Sequence, residues 1–182
     1  MINFKIVLFS IVFLAIIIAG CESPSSSEAP VNDEFALNKG IVSSKTESGS
    51  SNATLNQELA LARASTAKYH NINKALADGY VDINLYIPNM GWHFLNEDLL
   101  DDTFEIDKPE ILVYADKPGG GYRLVALEYA VPLPLSVDPP AGFTGDDDVW
   151  FENVGAGIWA LHAWVWLHNP DGIFADFNPN VP

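Results

Sequence analysis

The chain has 182 residues, 24 of them acidic and 9 basic, for a formal net charge of −15. Such a surface repels phosphate backbones and argues against a nucleic-acid partner. Cys21 is the one cysteine, so no disulfide can form within the chain. Stability must then come from core burial, with or without a bound ion, and the length suits one ordinary domain.

At the amino terminus, MINFKIVLFSIVFLAIIIAGC places Lys5 ahead of an almost wholly apolar run from Ile6 to Ala19. A spanning helix needs about 20 apolar residues, and a shorter run reads as the core of a secretory signal. Ile18-Ala19-Gly20-Cys21 resembles the lipobox of bacterial lipoprotein signal peptides. That resemblance implies cleavage before Cys21, a diacylglycerol on its thiol and acylation of the new amino terminus. Each buried lipid methylene contributes ~0.8 kcal/mol, so two or three chains hold a domain firmly on a membrane. The expectation is an exported protein anchored by lipid in the bacterial cell envelope. Residues 1–20 are its signal peptide, and 21–53 are the lipidated cysteine and a tether. The tether is rich in Ser, Glu, Pro and Gly and cannot bury enough surface to fold. Residues 54–182 form a single globular domain.

Within that domain, Thr54 and Gln57 fit a capping box. Leu55, Leu59, Ala62, Thr66, Tyr69, Ile72 and Leu76 then follow helical spacing, and Gly79 can end the helix, so the pattern predicts one helix over about 54–78. His70 falls opposite this stripe and reads as solvated. From Tyr80 the grammar changes to short β-rich runs: YVDINLYI, GWHFLN, EILVYAD and YRLVALEYAV. The last two are joined by KPGGG, a hairpin signal. PLPLSVDPPAGFTGDDD is a loop, VWFEN a short strand or loop, and GIWALHAWVWLH a long strand candidate before the closing turns. The fold class predicted is α+β: an antiparallel sheet, sandwich- or barrel-like, with one helix packed on it.

Period-two reading of YRLVALEYAV puts Leu124, Ala126, Glu128 and Ala130 on one face, with Val125, Leu127, Tyr129 and Val131 opposite. A carboxylate on an apolar strand face is costly to bury unless a cation, a metal or several donors meet it. His162, between Leu161 and Ala163, poses the same question, and so does His93, between Trp92 and Phe94. Two imidazoles and a carboxylate on a β scaffold are ligands for a divalent transition metal such as Zn²⁺, Fe²⁺, Mn²⁺ or Cu²⁺. Glu110, Tyr114 and His168 are candidates to support them from behind. The competing account is a buried His–Glu hydrogen-bonded network that orders the core. His162, Trp164, Trp166 and His168 would share one face of a long last strand. The five tryptophans, with Tyr114 and Tyr129, would make a stacking platform for a glycan or an apolar ligand if exposed together. Asp146, Asp147 and Asp148, and separately Asp171 and Asp176, have no EF-hand spacing and read as solvated loop acids. No GxSxG motif supports serine catalysis.

STAKYHNINKALADGYVD, MGWHFLN, KPEILVYA, YRLVALEY and LHAWVWLHNPDGIFADFNPNV, in that order, resemble the blocks of a group of uncharacterised exported bacterial proteins. The likeness spans roughly residues 60–180 and implies no particular activity. It places Lys68, Tyr69, His93, Glu110, Glu128, Tyr129, His162, His168 and Asn169 in the blocks that define the group. The expected function is therefore a lipid-anchored envelope protein that binds a metal ion or small ligand through a His/Glu site. A tryptophan-based binding module and a purely structural envelope protein stand as alternatives.

Overall fold

Leu59, Ala62, Thr66, Tyr69 and Ala75 are the buried residues of the helical region, close to the stripe its periodicity predicts. The computed structural model describes residues 43–182. The expected signal peptide over 1–20, Cys21 and the expected tether as far as residue 42 lie outside the described residues, whereas residues 43–53, expected as the rest of that tether, are helical. The first helix, α1, is Ser43–Thr66, longer at its start than the sequence suggests. Residues 52–54 are exposed and inward-facing burial begins with half-buried Leu55, so the apolar period does not extend to the helix start. Thr54 lies inside α1 rather than at its cap. The helix also ends sooner: a 3₁₀ turn, Ala67–His70, leads to a short second helix, α2, Ile72–Ala77. The Asn71 side chain caps α2 by accepting from the Asn73 N–H at 3.1 Å. This restart shifts the phase, so Ala75 is buried and Leu76 is half exposed.

Six strands follow: β1 Val81–Ile87, β2 Gly91–Leu95, β3 Ile111–Asp116, β4 Tyr122–Pro132, β5 Phe151–Asn153 and β6 Ile158–Ala163. They form one curled antiparallel sheet in the order β1-β2-β3-β4-β6-β5, with α1 packed on one face. The fold is α+β, as the run of strands after one helical region implies.

The helix-side face carries Phe94, Leu112, Tyr114, Leu124, Leu127 and Tyr129 against Leu59, Ala62 and Tyr69. Polar contacts fix this seating. The Tyr114 hydroxyl donates to the Tyr69 carbonyl at 2.8 Å, and Arg63 Nε donates to the Val165 carbonyl at 2.8 Å. The Thr144 N–H and hydroxyl both donate to the Glu58 carboxylate, holding the proline-rich loop against α1.

Two departures from simple alternation decide which side chains face the other way. Val113 pairs with Ala126 but Tyr114 pairs with Leu124, so Val125 bulges out of register. Leu124 therefore joins Leu127 and Tyr129 on the helix side, not Glu128 as the period-two reading has it. The Val125 carbonyl accepts from the Trp166 and Leu167 N–H groups. The long last strand is the second departure: β6 stops at Ala163. The Trp164 N–H leaves the ladder for the Ile173 carbonyl, and the Val165 N–H turns back to Ala163. Trp164 and Trp166 thus part company. Trp164 is buried with Val113 and Val125, while Trp166 packs towards α1, its indole N–H donating to Thr66 Oγ1 at 3.2 Å.

Among the described residues, no helix is long and apolar enough to cross a membrane.

Candidate metal centre

Glu128 sits on the central strand β4, directly opposite His162 on β6. His93 on β2 is in register with Val113 on β3, which pairs with Ala126, two residues from Glu128 on the same face. Two strand spacings separate β2 from β4, about 10 Å. The curl of the sheet and the length of the two side chains close that gap. His93 Nε2 lies 3.4 Å from Glu128 Oε2, and His162 Nε2 lies 3.7 Å from the same oxygen. One potential ligand atom from each of the three residues falls within 4.8 Å of the others, and all three residues are buried. The sequence candidates converge.

The arrangement is not a satisfied hydrogen-bond network. Glu128 Oε2 and His162 Nε2 are both buried without a hydrogen-bond partner. An N–H···O bond runs at about 2.7–3.2 Å, shorter than either approach. His93 Nδ1 stands 3.2 Å from the Leu85 carbonyl. A carbonyl can only accept, so Nδ1 carries the proton and Nε2 points its lone pair at Glu128. Backbone anchoring of the distal ring nitrogen is how metal-binding histidines are usually oriented. The His93 and His162 rings are perpendicular, with centroids 6.3 Å apart, and His162 lies nearly parallel to Trp164.

Burial sets the charge state. It pushes the Glu128 carboxyl up to about 8, with the Asp176 and Glu110 charges adding to the effect. Burial pushes His162 down to about 3, helped by His93, and lowers His93 as well against its bond to Leu85. All three groups are thus neutral near pH 7, and none supplies a counter-charge to another.

The triad lines a cavity of about 540 Å³ on the sheet face away from α1. Ala130 and Ala160, a directly opposed pair beside Glu128 and His162, leave the space open. Ile83, Leu85, Leu95, Ile158, Phe151 and Phe177 supply much of the apolar wall. Among the described residues, no lysine or arginine lines it. Besides the triad, its polar side chains are Asn153 and Asp176.

The supporting candidates fall elsewhere. Tyr114 lies on the helix side and donates to Tyr69, so it does not reach the triad. His168 is exposed beyond the end of β6, where its carbonyl accepts from Asn178 and Asn180. Glu110 is buried, accepts the Ala130 N–H at 2.9 Å, and is itself pushed up to about 8 by burial. When ionised, it raises the Glu128 carboxyl further. His70 is exposed, as its position opposite the stripe implies, with its ring against Trp166.

The tryptophans are dispersed. Trp92 meets Tyr86 at a tilt and Tyr122 edge-on, Trp150 meets Phe104, and Trp159 donates to the Ser136 carbonyl. None lines the cavity. Asp148 accepts the Phe143 N–H at 2.7 Å and so structures its own loop.

Sequence reasoning missed two contributors. Asp176, read as a loop acid, lies at the cavity and is raised by partial burial. Leu85 acts through its carbonyl, which no side-chain pattern can announce. The alanines at 130 and 160, each two residues from a triad member, were the legible sign of an open space.

Comparison with protein-family models, curated proteins and solved structures gives no match. The functional reading therefore rests on the geometry of the triad and its cavity.

Proposed function

We propose that this domain binds a divalent transition metal ion through His93, Glu128 and His162, at the polar end of an apolar cavity that takes a small ligand. In this reading the domain is held on a bacterial envelope membrane by lipid on Cys21.

One observation carries the metal reading: two imidazole nitrogens approach the same buried, unpartnered carboxylate oxygen at 3.4 and 3.7 Å. Metal–ligand bonds of about 2.0–2.2 Å at tetrahedral angles place neighbouring donor atoms about 3.4 Å apart. The spacing suits donors that share an ion better than donors that share a proton. Three protein ligands also leave coordination positions for water or a ligand oxygen, the open arrangement of sites that do chemistry.

Anchoring is supported by Ile18-Ala19-Gly20-Cys21 after a short apolar run, and the excess of acidic residues weighs against nucleic acid. Glu110 would tune the site only once ionised, when its charge raises Glu128 further.

Elemental analysis of the purified full chain, after exposure to Zn²⁺, Mn²⁺, Fe²⁺ and Cu²⁺ in turn, tests the reading. One ion per chain is expected for at least one metal, and Glu128→Gln abolishes it. A wild-type chain that remains metal-free under all four conditions refutes the proposal and leaves a strained structural network.

A further inference from the structure

Resting on the metal reading above, the geometry points to an amphiphile as the ligand. It is a medium-length apolar molecule ending in one anionic oxygen group, which completes the coordination at His93, Glu128 and His162 while its body fills the cavity.

Size and lining come first. The cavity, about 540 Å³, lies within the roughly 300–1,000 Å³ range of small-molecule sites. Its wall is aliphatic and aromatic, and several of those residues remain part-exposed: Ile83 at 40%, Leu85 at 42%, Phe177 at 52% and Phe151 at 53%. Apolar side chains from β1, β5 and the C-terminal segment converge on one opening. Covering them with a hydrocarbon body recovers about 25 cal/mol for each Å² removed from water. A sugar or another many-hydroxyl ligand would find few partners here, since among the described residues only Asn153 and Asp176 offer polar side-chain atoms beyond the triad.

Charge decides the other end. A divalent ion held by one carboxylate and two neutral imidazoles carries a net charge of +1. Among the described residues Asp176 is the one other acid at the cavity, and because it is only partly buried water screens its charge more than that of Glu128. A ligand with one negative oxygen group neutralises the centre. A cationic head would be repelled, and among the described residues lining the cavity no lysine or arginine offers an anion a rival berth. The anchor adds a source, because a domain tethered to a bilayer by Cys21 would meet monoacyl amphiphiles at its doorstep.

The test uses the full chain in lipid nanodiscs, loaded with Co²⁺, whose visible absorption reports its coordination. Decanoate, decanol, acetate and decylammonium are titrated, with free concentrations set by equilibrium dialysis. Decanoate is expected to shift the spectrum saturably, with a Kd at least about tenfold below those of decanol and acetate. Ile83→Asp, at the part-exposed rim, should weaken decanoate about tenfold and leave the ligand-free Co²⁺ spectrum unchanged. A Co²⁺ spectrum that decanoate does not move, or equal affinity for decanol, overturns this inference while the metal centre stands. A chain that takes up no Co²⁺ and none of the other metals removes both.

Discussion

Glu128 on β4 and His162 on β6 form a directly opposed cross-strand pair, and their polar atoms stand 3.7 Å apart. Direct opposition in an antiparallel sheet brings Cβ atoms to about 4.5–5.5 Å, so strand register alone places these groups together. A slip of one residue would turn His162 towards α1. Because the contact is built into the ladder, substitutions should test the chemistry without moving the scaffold. Glu128→Gln keeps the shape of the protonated acid, so its circular dichroism should match the wild type. Its metal affinity should fall at least ~100-fold, more than is typical for loss of a supporting residue. Calorimetry showing wild-type affinity in this variant would exclude Glu128 as a ligand.

Metal uptake should release a proton. Glu128 is held protonated up to about pH 8 by burial, whereas both imidazoles are already neutral at pH 7. Binding at pH 7 must then displace one proton, from Glu128 alone. Apparent affinity should rise about tenfold per pH unit below pH 8 and level off above it. Titration in buffers of different ionisation enthalpy measures this directly. A pH-independent affinity between pH 6 and pH 8 would contradict it.

Stability of the metal-free protein should fall as pH rises above about 6.5. Glu128 and Glu110 have folded pKa values of about 8, above the ordinary carboxyl value of 4.5. Between those values the folded state holds more protons, so their contribution is complete below pH 4.5 and is lost as pH approaches 8. His162, depressed to about 3, works the other way, and its contribution is fully present above its ordinary value of 6.5. Above pH 6.5 only the carboxyls still titrate. The melting temperature should decline to about pH 8 and then flatten, and Glu128→Gln should reduce the slope. A profile that rises from pH 6.5 to pH 8 would mean that the carboxyls are ionised in the fold.

Gly91→Ala should destabilise the domain by about 2 kcal/mol or more. Gly91 begins β2 at φ +117°, and a Cβ there would lie 2.4 Å from the Tyr114 carbonyl oxygen, a backbone atom that cannot swing aside. Denaturant unfolding measures the loss. Gly119→Ala, with open space around its Cβ position, is the comparison for backbone conformation alone.

On the proposed anchoring, Cys21→Ser should abolish incorporation of labelled fatty acid and release the chain from the membrane fraction. Metabolic labelling followed by membrane fractionation reads this out. Continued acylation of the serine variant would place the anchor elsewhere.

The sequence by itself determined the class of fold and the identity of three unusual residues. One amphipathic helix followed by runs of period-two residues has few ways to bury its apolar faces, and α+β packing is the resulting solution. His93, Glu128 and His162 stood out because a titratable group on an apolar strand face is expensive wherever the strand lands. Their meeting was not legible, since it depends on strand order: β6 must pass β5 to pair with β4, a long-range choice that no local pattern records. The faces of Leu124, Trp164 and Trp166 were hidden for a related reason. The bulge at Val125 and the end of β6 arise from backbone hydrogen bonds to distant segments. The supporting residues followed the same logic. Tyr114, a candidate to support the triad, is buried towards the helix instead, and Leu85 entered through a carbonyl that every residue possesses. Side-chain periodicity determines what must be buried, while register, bulges and curl decide which buried groups share a cavity.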